Sequence, residues 1–247
     1  MSHCEEPKTF TKSAEFYDRI YAAVGKDYAA EAHRLHGLIQ AHKRSPGKAL
    51  LDLACGTGAH LVELRRWYEV EGLDLDPQML ALAAQRVPGV RLHQGDLVDF
   101  SLPRSFDAVI CLFSSIGYVK TEPRLRQALA TMARHTVPGG LIIVEPWILP
   151  ERWEPGHIGA VFVDDPALKI ARINTSERRD NLTTLKFHYL VGTPEGIEHF
   201  TEEHELGLFS HQQYLDAFRG AGLEVAHDPE GLMGRGLYYG VRPPERK

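Results

Sequence analysis

Long apolar runs are missing from this 247-residue chain. None approaches the length needed to cross a bilayer, and the polar stretch from Met1 to Lys12 has no apolar core of the kind a secretion signal carries. Cysteine is scarce: Cys4, Cys55 and Cys111 do not make the paired framework of a secreted disulfide protein. Cys55 and Cys111 fall at the ends of predicted strands, where a cysteine behaves as a small buried hydrophobe. A reduced, cytoplasmic setting is expected. Positive charge is also short. With a net charge of −5 and its basic residues scattered, the chain lacks the basic patch that a nucleic-acid partner demands. The thirteen histidines do not gather into metal sites. His33 and His36 are three apart on a predicted helix with no cysteine or acid at ligand spacing, and His199 and His204 fall on opposite faces of a strand. No metal is expected, and neither internal repeats nor low-complexity segments occur. The chain is 43% hydrophobic and long enough for one good core with an appended subdomain.

The most informative stretch is Leu50-Leu51-Asp52-Leu53-Ala54-Cys55-Gly56-Thr57-Gly58. A short apolar run meets an acid, then breaks at two glycines one residue apart. Leu61, Leu64 and Trp67 follow at helical spacing. The pattern predicts a buried strand, a tight turn and a helix. Glycine lets the backbone turn this sharply and approach a ligand. A dinucleotide fingerprint needs a third small residue, so that helix and strand close over a pyrophosphate. Leu61 stands there, so a nicotinamide enzyme is disfavoured, and Asp52 suits a ligand carrying positive charge. A second run, Val70 to Leu75, contains Asp74, sixteen residues past Gly58. An acid at the carboxyl end of a parallel strand can accept both hydroxyls of a ribose. Asp76 and Pro77 then open a helix as N-cap and first residue, with Met79 on its wall. A third short strand, Val90 to Gln94, leads into Gly95-Asp96-Leu97.

Strands and helices alternate as far as Trp147, the signature of a parallel sheet covered on both faces. Phe106 to Leu112 is the fourth strand, 124–135 a helix, Val137-Pro138-Gly139-Gly140 a turn, and Leu141 to Glu145 the fifth strand. Pro146, Pro150 and Pro155 mark a break. Period-two alternation follows, as in Leu185-Lys186-Phe187-His188-Tyr189, with a hairpin turn at Arg179-Asp180-Asn181. A helix from Ser210 to Ala221, with Tyr214 and Phe218 inward, and two short strands at 223–226 and 237–241 close the chain. The expected organisation is a single domain over 1–247. Residues 1–48 form a helical cap, 49–147 the cofactor core, 148–208 an antiparallel insertion, and 209–247 the closing helix and strands. The meander at 157–208 is expected beside the cofactor's mouth, as a substrate lid or a dimer contact.

The Leu50 to Leu61 segment resembles motif I of the class I S-adenosylmethionine methyltransferases. More of the chain is similar to the dTDP-3-amino-3,6-dideoxyhexose N,N-dimethyltransferases of macrolide amino-sugar biosynthesis. The matching stretches are Phe16-Tyr17-Asp18, Gly25-Lys26-Asp27-Tyr28, Leu50 to Leu61, His93-Gln94-Gly95-Asp96, Phe113-Ser114-Ser115-Ile116-Gly117-Tyr118, Val144-Glu145-Pro146-Trp147 and Gly234-Arg235-Gly236-Leu237. Tyr118 replaces a histidine of some family members, and Val161 to Arg179 matches only loosely. The resemblance implies a doubly wound, Rossmann-like α/β methyltransferase sheet with the antiparallel meander inserted.

It also implies S-adenosylmethionine as cofactor, held by Asp52, Ala54, Gly56, Gly58, Asp74, Leu75, Met79, Asp96, Leu97, Leu112 and Phe113. Asp96 would accept from the adenine amino group while Leu97 packs on the ring, and Tyr28 and Arg34 would cap the methionine carboxylate. Tyr17, Ser115, Tyr118 and Glu145 are the catalytic candidates; a phenol titrates near pH ~10, so the tyrosines would orient rather than deprotonate. Arg235, between two glycines, and then Arg178 would pair with the phosphates of a nucleotide-linked sugar, with Trp147 and Trp153 stacking on base or sugar. The implied partner is a small-molecule substrate, a dTDP-amino sugar by resemblance, with a homodimer through the meander. Two alternatives stay open: another amine or hydroxyl acceptor, and a noncatalytic S-adenosylmethionine-binding subunit.

Overall fold

The structure is a computed structural model that describes residues 12–244. Cys4 and the polar stretch ahead of Lys12 lie outside the described residues. The chain forms two compact units, dividing the expected N-terminal cap between them. One unit takes the chain up to Lys26 together with Glu154–Arg179 and Thr183–Glu205; the other takes Asp27–Trp153, Asp180–Leu182 and the chain from Leu206 onward.

The smaller unit holds helix α1 (Tyr17–Ala23), and the larger begins with α2 (Tyr28–His42). The larger unit then alternates as the sequence predicts: β1 (Ala49–Leu53), α3 (Ala59–Leu64), β2 (Glu69–Asp74), α4 (Pro77–Arg86), β3 (Arg91–Gln94), β4 (Phe106–Cys111), α5 (Glu122–Arg134) and β5 (Thr136–Val144). The four long strands of the meander are β6 (Ile158–Asp165), β7 (Leu168–Arg179), β8 (Leu182–Thr193) and β9 (Gly196–Gly207). Helix α6 (His211–Gly220) and strands β10 (Glu224–Asp228) and β11 (Leu237–Val241) follow.

The main sheet runs β10-β11-β5-β4-β1-β2-β3. Strands β1 to β5 are parallel, and β11 enters antiparallel against β5. The two faces bury alternate residues, as the strand period requires. Leu51, Leu53, Val109, Cys111, Ile142 and Val144 pack with Leu125, Leu129 and Met132 of α5 and Tyr214 and Phe218 of α6. Leu50, Ala108, Ile110, Leu141 and Ile143 pack with Leu35 and Ile39 of α2 and Leu61 and Leu64 of α3. Cys55 and Cys111 are buried free thiols, as expected of small hydrophobes. Asp76 caps α4 through the Gln78 amide at 2.7 Å, with Pro77 behind it. Ser210 and Gln213 form a capping box that fixes the start of α6.

The expected turn at Val137 to Gly140 is instead a bulge in one continuous strand. Phe106 pairs with Thr136 and Ala108 with Leu141, so residues 137–140 bow out opposite Asp107. The bulge survives because its backbone is bonded on both sides. The Gly139 carbonyl accepts from the Arg44 and Ser45 amides at 2.7 and 2.9 Å, and the Gly139 amide donates to Arg242 at 2.7 Å.

In the smaller unit, β6-β7-β8-β9 form an antiparallel sheet. Val161, Val163, Ile170, Tyr189 and Val191 on its inner face cluster with Ile20 of α1. The hairpin between β7 and β8 turns at Asp180, whose φ of +53° is one that aspartate tolerates. His199 is exposed and His204 buried, on the opposite faces their spacing requires. Among the described residues no helix is long and apolar enough to cross a membrane.

Candidate active site

The strand order reverses at β1, whose neighbours are β2 and β4; in such sheets ligands bind beyond the carboxyl ends at that point. The two-glycine bend lies there. Ala54, Gly56 and Gly58 adopt φ of +55°, +54° and +76°. An added Cβ on Gly58 would meet Ala83 Cβ at 3.2 Å, so this glycine lets α4 close in. Around Gly56 the same test finds no atom within 4 Å. That glycine faces open space, where a ligand can touch backbone.

The bend is pinned from three sides. The Cys55 amide donates to Leu73 O at 3.1 Å, continuing toward β2. Asp74 Oδ2 accepts from the Gly56 amide at 2.8 Å, and its Oδ1 from the Asp76 amide at 2.9 Å. Arg86, at the end of α4, donates to Thr57 Oγ1 and O at 2.6 and 3.1 Å. Sequence reasoning missed Arg86, because a basic residue in the last turn of a helix already has an ordinary explanation in the helix dipole.

Asp52 is 2% exposed, and its Oδ2 has no hydrogen-bond partner among the described residues. Burial pushes its carboxyl well above the usual carboxylate range, and the neighbouring Asp74 pushes it further. Asp74 is raised too, first by burial, with the Asp76 and Gly56 amides pulling the other way. Two buried acids short of positive charge beside an open glycine suit a cation. A pyrophosphate does not fit, since its charge would add to theirs and the fully buried Leu61 occupies the third-glycine position. Leu75 is 55% exposed at the tip of β2, an uncovered apolar surface beside Asp74, while Met79 is buried in α4. Asp96 accepts from Val98 N and from Arg124, each at 2.9 Å. Its half-exposed carboxylate therefore already has an ion-pair partner that the sequence did not signal. Leu97 is half-buried nearby in the chain.

Tyr28 opens α2 behind the N-cap Asp27, and its ring meets His60 edge-on at 4.9 Å. His60, two residues past Gly58, holds Glu31 at 2.7 Å in a buried pair. Arg34 does not join them. Its guanidinium pairs instead with Asp228 at 2.9 Å and Glu230 at 3.7 Å. His33 and His36 pack on Trp67, and His36 Nδ1 meets the Tyr68 hydroxyl at 2.9 Å.

The tips of β4 and β5 build a second cluster. Leu112 is buried, and the chain then turns through Phe113 and Ser114 at φ +52° and +63°. Two consecutive left-handed non-glycine residues are strained, and such strain concentrates at functional sites. Glu145, fully buried, accepts the Phe113 amide hydrogen at 2.6 Å and holds the corner. This gives the expected catalytic acid a positioning task. Ser114 Oγ donates to Pro146 O at 2.9 Å and accepts from Arg235 Nη1 at 2.6 Å. The Arg235 guanidinium lies over the Trp147 indole at 4.9 Å, between Gly234 and Gly236. Arg152 steadies that loop by donating to Gly234 O at 2.9 Å. Ser115 and Tyr118 are half-buried in the 3-10 turn that follows, and Trp153 is half-buried after a further short turn. Tyr17 and Arg178 belong to the smaller unit. Tyr17 opens α1 with its ring 4.6 Å from Tyr21, and Arg178 is exposed near the end of β7.

A methyltransferase domain family matches residues 50–140. The chain is 45% identical over 231 residues to the dTDP-3-amino-3,6-dideoxy-alpha-D-glucopyranose N,N-dimethyltransferase of Streptomyces fradiae, covering 92% of this chain and 90% of that one. Its fold matches Streptomyces venezuelae DesVI with a TM-score of 0.89 at 40% identity, over 96% of this chain and 100% of the other. It matches S-adenosylmethionine-bound CalS10, an amino pentose methyltransferase from Micromonospora echinaspora, with a TM-score of 0.84 at 39% identity, over 96% and 99%. The chain is a class I S-adenosylmethionine-dependent methyltransferase and belongs to the family of the dTDP-amino-sugar N,N-dimethyltransferases.

Proposed function

We propose that this enzyme methylates the amino nitrogen of a nucleotide-linked amino sugar. The observation that carries the reading is the pair of buried acids, Asp52 and Asp74, beside the open face of Gly56. When bound, S-adenosylmethionine supplies an electrophilic methyl group on a sulfonium. Asp52, Asp74 and the Ala54 to Gly58 bend hold it in this reading, with Leu75, Met79, Leu97, Leu112 and Phe113 as apolar walls, Asp96 at the adenine end and Tyr28 at the methionine end.

The residues of the chain then have to align a neutral amine and let it lose a proton. Alignment supplies most of the acceleration in such a displacement. The positive site that the acids favour disfavours a second cation, so an incoming ammonium gives up its proton readily. Tyr17, Tyr118 and Ser115 orient the amine through their hydroxyls, while Glu145 holds the Phe113–Ser114 corner. Arg235, spread over Trp147, offers its planar fork to phosphate, the geometry guanidinium matches best. Trp153 and Arg178 are the further substrate contacts. The test is turnover of dTDP-linked amino sugars followed by mass spectrometry, with successive gains of one and two methyl groups expected. Consumption of unlinked amines or hydroxyl compounds, with no nucleotide sugar turned over, would replace this acceptor by another.

We also assign the outer face of the four-stranded sheet to a homodimer. Ile158 and Phe162 on β6, Ile173 on β7 and Leu190 on β8 are all at least 43% exposed and share that face by strand parity. Light scattering of the 27.7 kDa chain is expected to give twice that mass, and Phe162→Asp the single mass.

A further inference from the structure

The smaller unit contains a buried cation for which the described residues supply no counter-ion. Arg172 sits in the middle of β7 on the inner face and is 9% exposed. Its guanidinium lies 5.4 Å from the Tyr21 ring centre and 5.2 Å from that of Phe187. Among the described residues no carboxylate pairs with it, and its enclosed Nε has no hydrogen-bond partner. A lysine in such a place could relieve the cost by losing its proton; a guanidinium cannot. Two aromatic faces recover part of the lost hydration. They leave the enclosed Nε–H without an acceptor among the described residues.

The buried acid of that face, on β9, is already committed. Glu202 accepts from the Lys12 and Ser13 amides at 3.0 and 3.1 Å and from Ser13 Oγ at 2.5 Å. Arg172 is joined on the inner face by other polar side chains. Asn174, two residues along β7, is 9% exposed, and the buried His204 packs edge-on against Phe187 at 5.1 Å. A guanidinium, an amide and an imidazole set among aromatic rings make a recognition surface rather than a core. Arg178 shares the same face by parity but is exposed near the hairpin end, where water screens its charge.

We infer that Arg172 is a phosphoryl-binding residue, and that its planar fork takes an oxyanion of the acceptor's diphosphate. The inference rests on the nucleotide-linked acceptor proposed above. Calorimetric titration of the full chain with dTDP and with inorganic pyrophosphate, in wild type, R172K and R172M, tests it. Both variants are expected to lose about 10- to 100-fold in dTDP affinity, the worth of a charge-assisted hydrogen bond, with lysine failing to rescue because it lacks the fork. Binding of S-adenosylhomocysteine at wild-type strength reports that each variant is folded. R172M is also expected to melt no lower than wild type without ligand, since it removes an unpaired buried charge. Unchanged dTDP affinity in both folded variants overturns the inference. If wild type binds pyrophosphate but not dTDP, and R172M loses pyrophosphate, the nucleotide reading fails while Arg172 keeps its assignment. Wild-type protein that binds neither anion overturns both.

Discussion

Asp74 spends one carboxylate oxygen on the amide of Gly56, at 2.8 Å, and the other on the amide of Asp76. The tip of β2 is thereby tied to the glycine bend that ends β1. Any group bound by this acid is read by a carboxylate whose position the bend itself dictates.

Asp74→Ala is accordingly expected to cost more than a ribose contact. It also frees the bend, so affinity for S-adenosylhomocysteine should fall at least about tenfold, the worth of one charge-assisted hydrogen bond. Asp74→Asn keeps an acceptor oxygen and should fall between Ala and wild type. Calorimetry of the three proteins checks the order. Equal affinity in all three would remove Asp74 from the cofactor site.

Asp52 gives a pH dependence whose sign can be worked out. Its carboxyl is raised in the folded chain by burial and by Asp74. The folded state therefore binds this proton more tightly than the unfolded one, and stability falls as pH rises above the unfolded value of about 4. Ionising the buried group costs stability that a bound cation restores. Asp52→Asn should raise the unliganded melting temperature by a few degrees, on the order of 2–4 °C per kcal/mol recovered, and weaken S-adenosylmethionine binding. Wild-type binding should tighten with pH and release protons, seen as buffer-dependent heats. A variant that melts lower and binds as before would contradict the assignment.

Gly56 and Gly58 share a left-handed backbone but differ in surroundings, and that separates two costs. Gly58→Ala crowds Ala83 as well as straining φ, so it should lower the melting temperature and disturb the packing of α4. Gly56→Ala meets no atom within 4 Å and carries the φ strain alone, roughly 1–2 kcal/mol. Its larger effect should be on cofactor affinity, because the added methyl fills the space the ligand needs. Thermal melts paired with S-adenosylhomocysteine titrations distinguish the two variants.

The parts of this molecule legible in the sequence are those with local physical signatures. The apolar run and paired glycines marked β1 and the bend that ends it, and Asp76-Pro77 announced the start of α4 through capping chemistry. Non-local pairings were not legible. Gly139 reads as a turn because the Arg44, Ser45 and Arg242 backbone groups that hold it in a bulged strand come from distant segments. The pairing of Arg34 with Asp228, far along the chain, has no local signature either. Arg172, one residue of an alternating strand, gains meaning only from Tyr21 and Phe187 on other elements.

Glu145 offers the sharpest separation of a positioning residue from a proton acceptor. It is fully buried and accepts the Phe113 amide hydrogen at 2.6 Å, holding the strained corner on which Ser114 anchors Arg235. A glutamine can still accept that hydrogen through its carbonyl oxygen, but it cannot take up a proton. Glu145→Gln should therefore keep kcat within a few-fold of wild type. Glu145→Ala removes the acceptor of this part-buried amide, a cost of about 1–3 kcal/mol. It should loosen the corner and raise KM for the nucleotide sugar as Arg235 loses its support. If Glu145 were instead the base, both variants would lose kcat alike, and the loss in Glu145→Gln would follow a titration in the pH–rate profile. Steady-state kinetics of the two variants across pH, each checked for S-adenosylhomocysteine binding, decides between them: a preserved kcat in Glu145→Gln assigns the carboxylate to the backbone, and its loss assigns it to the amine.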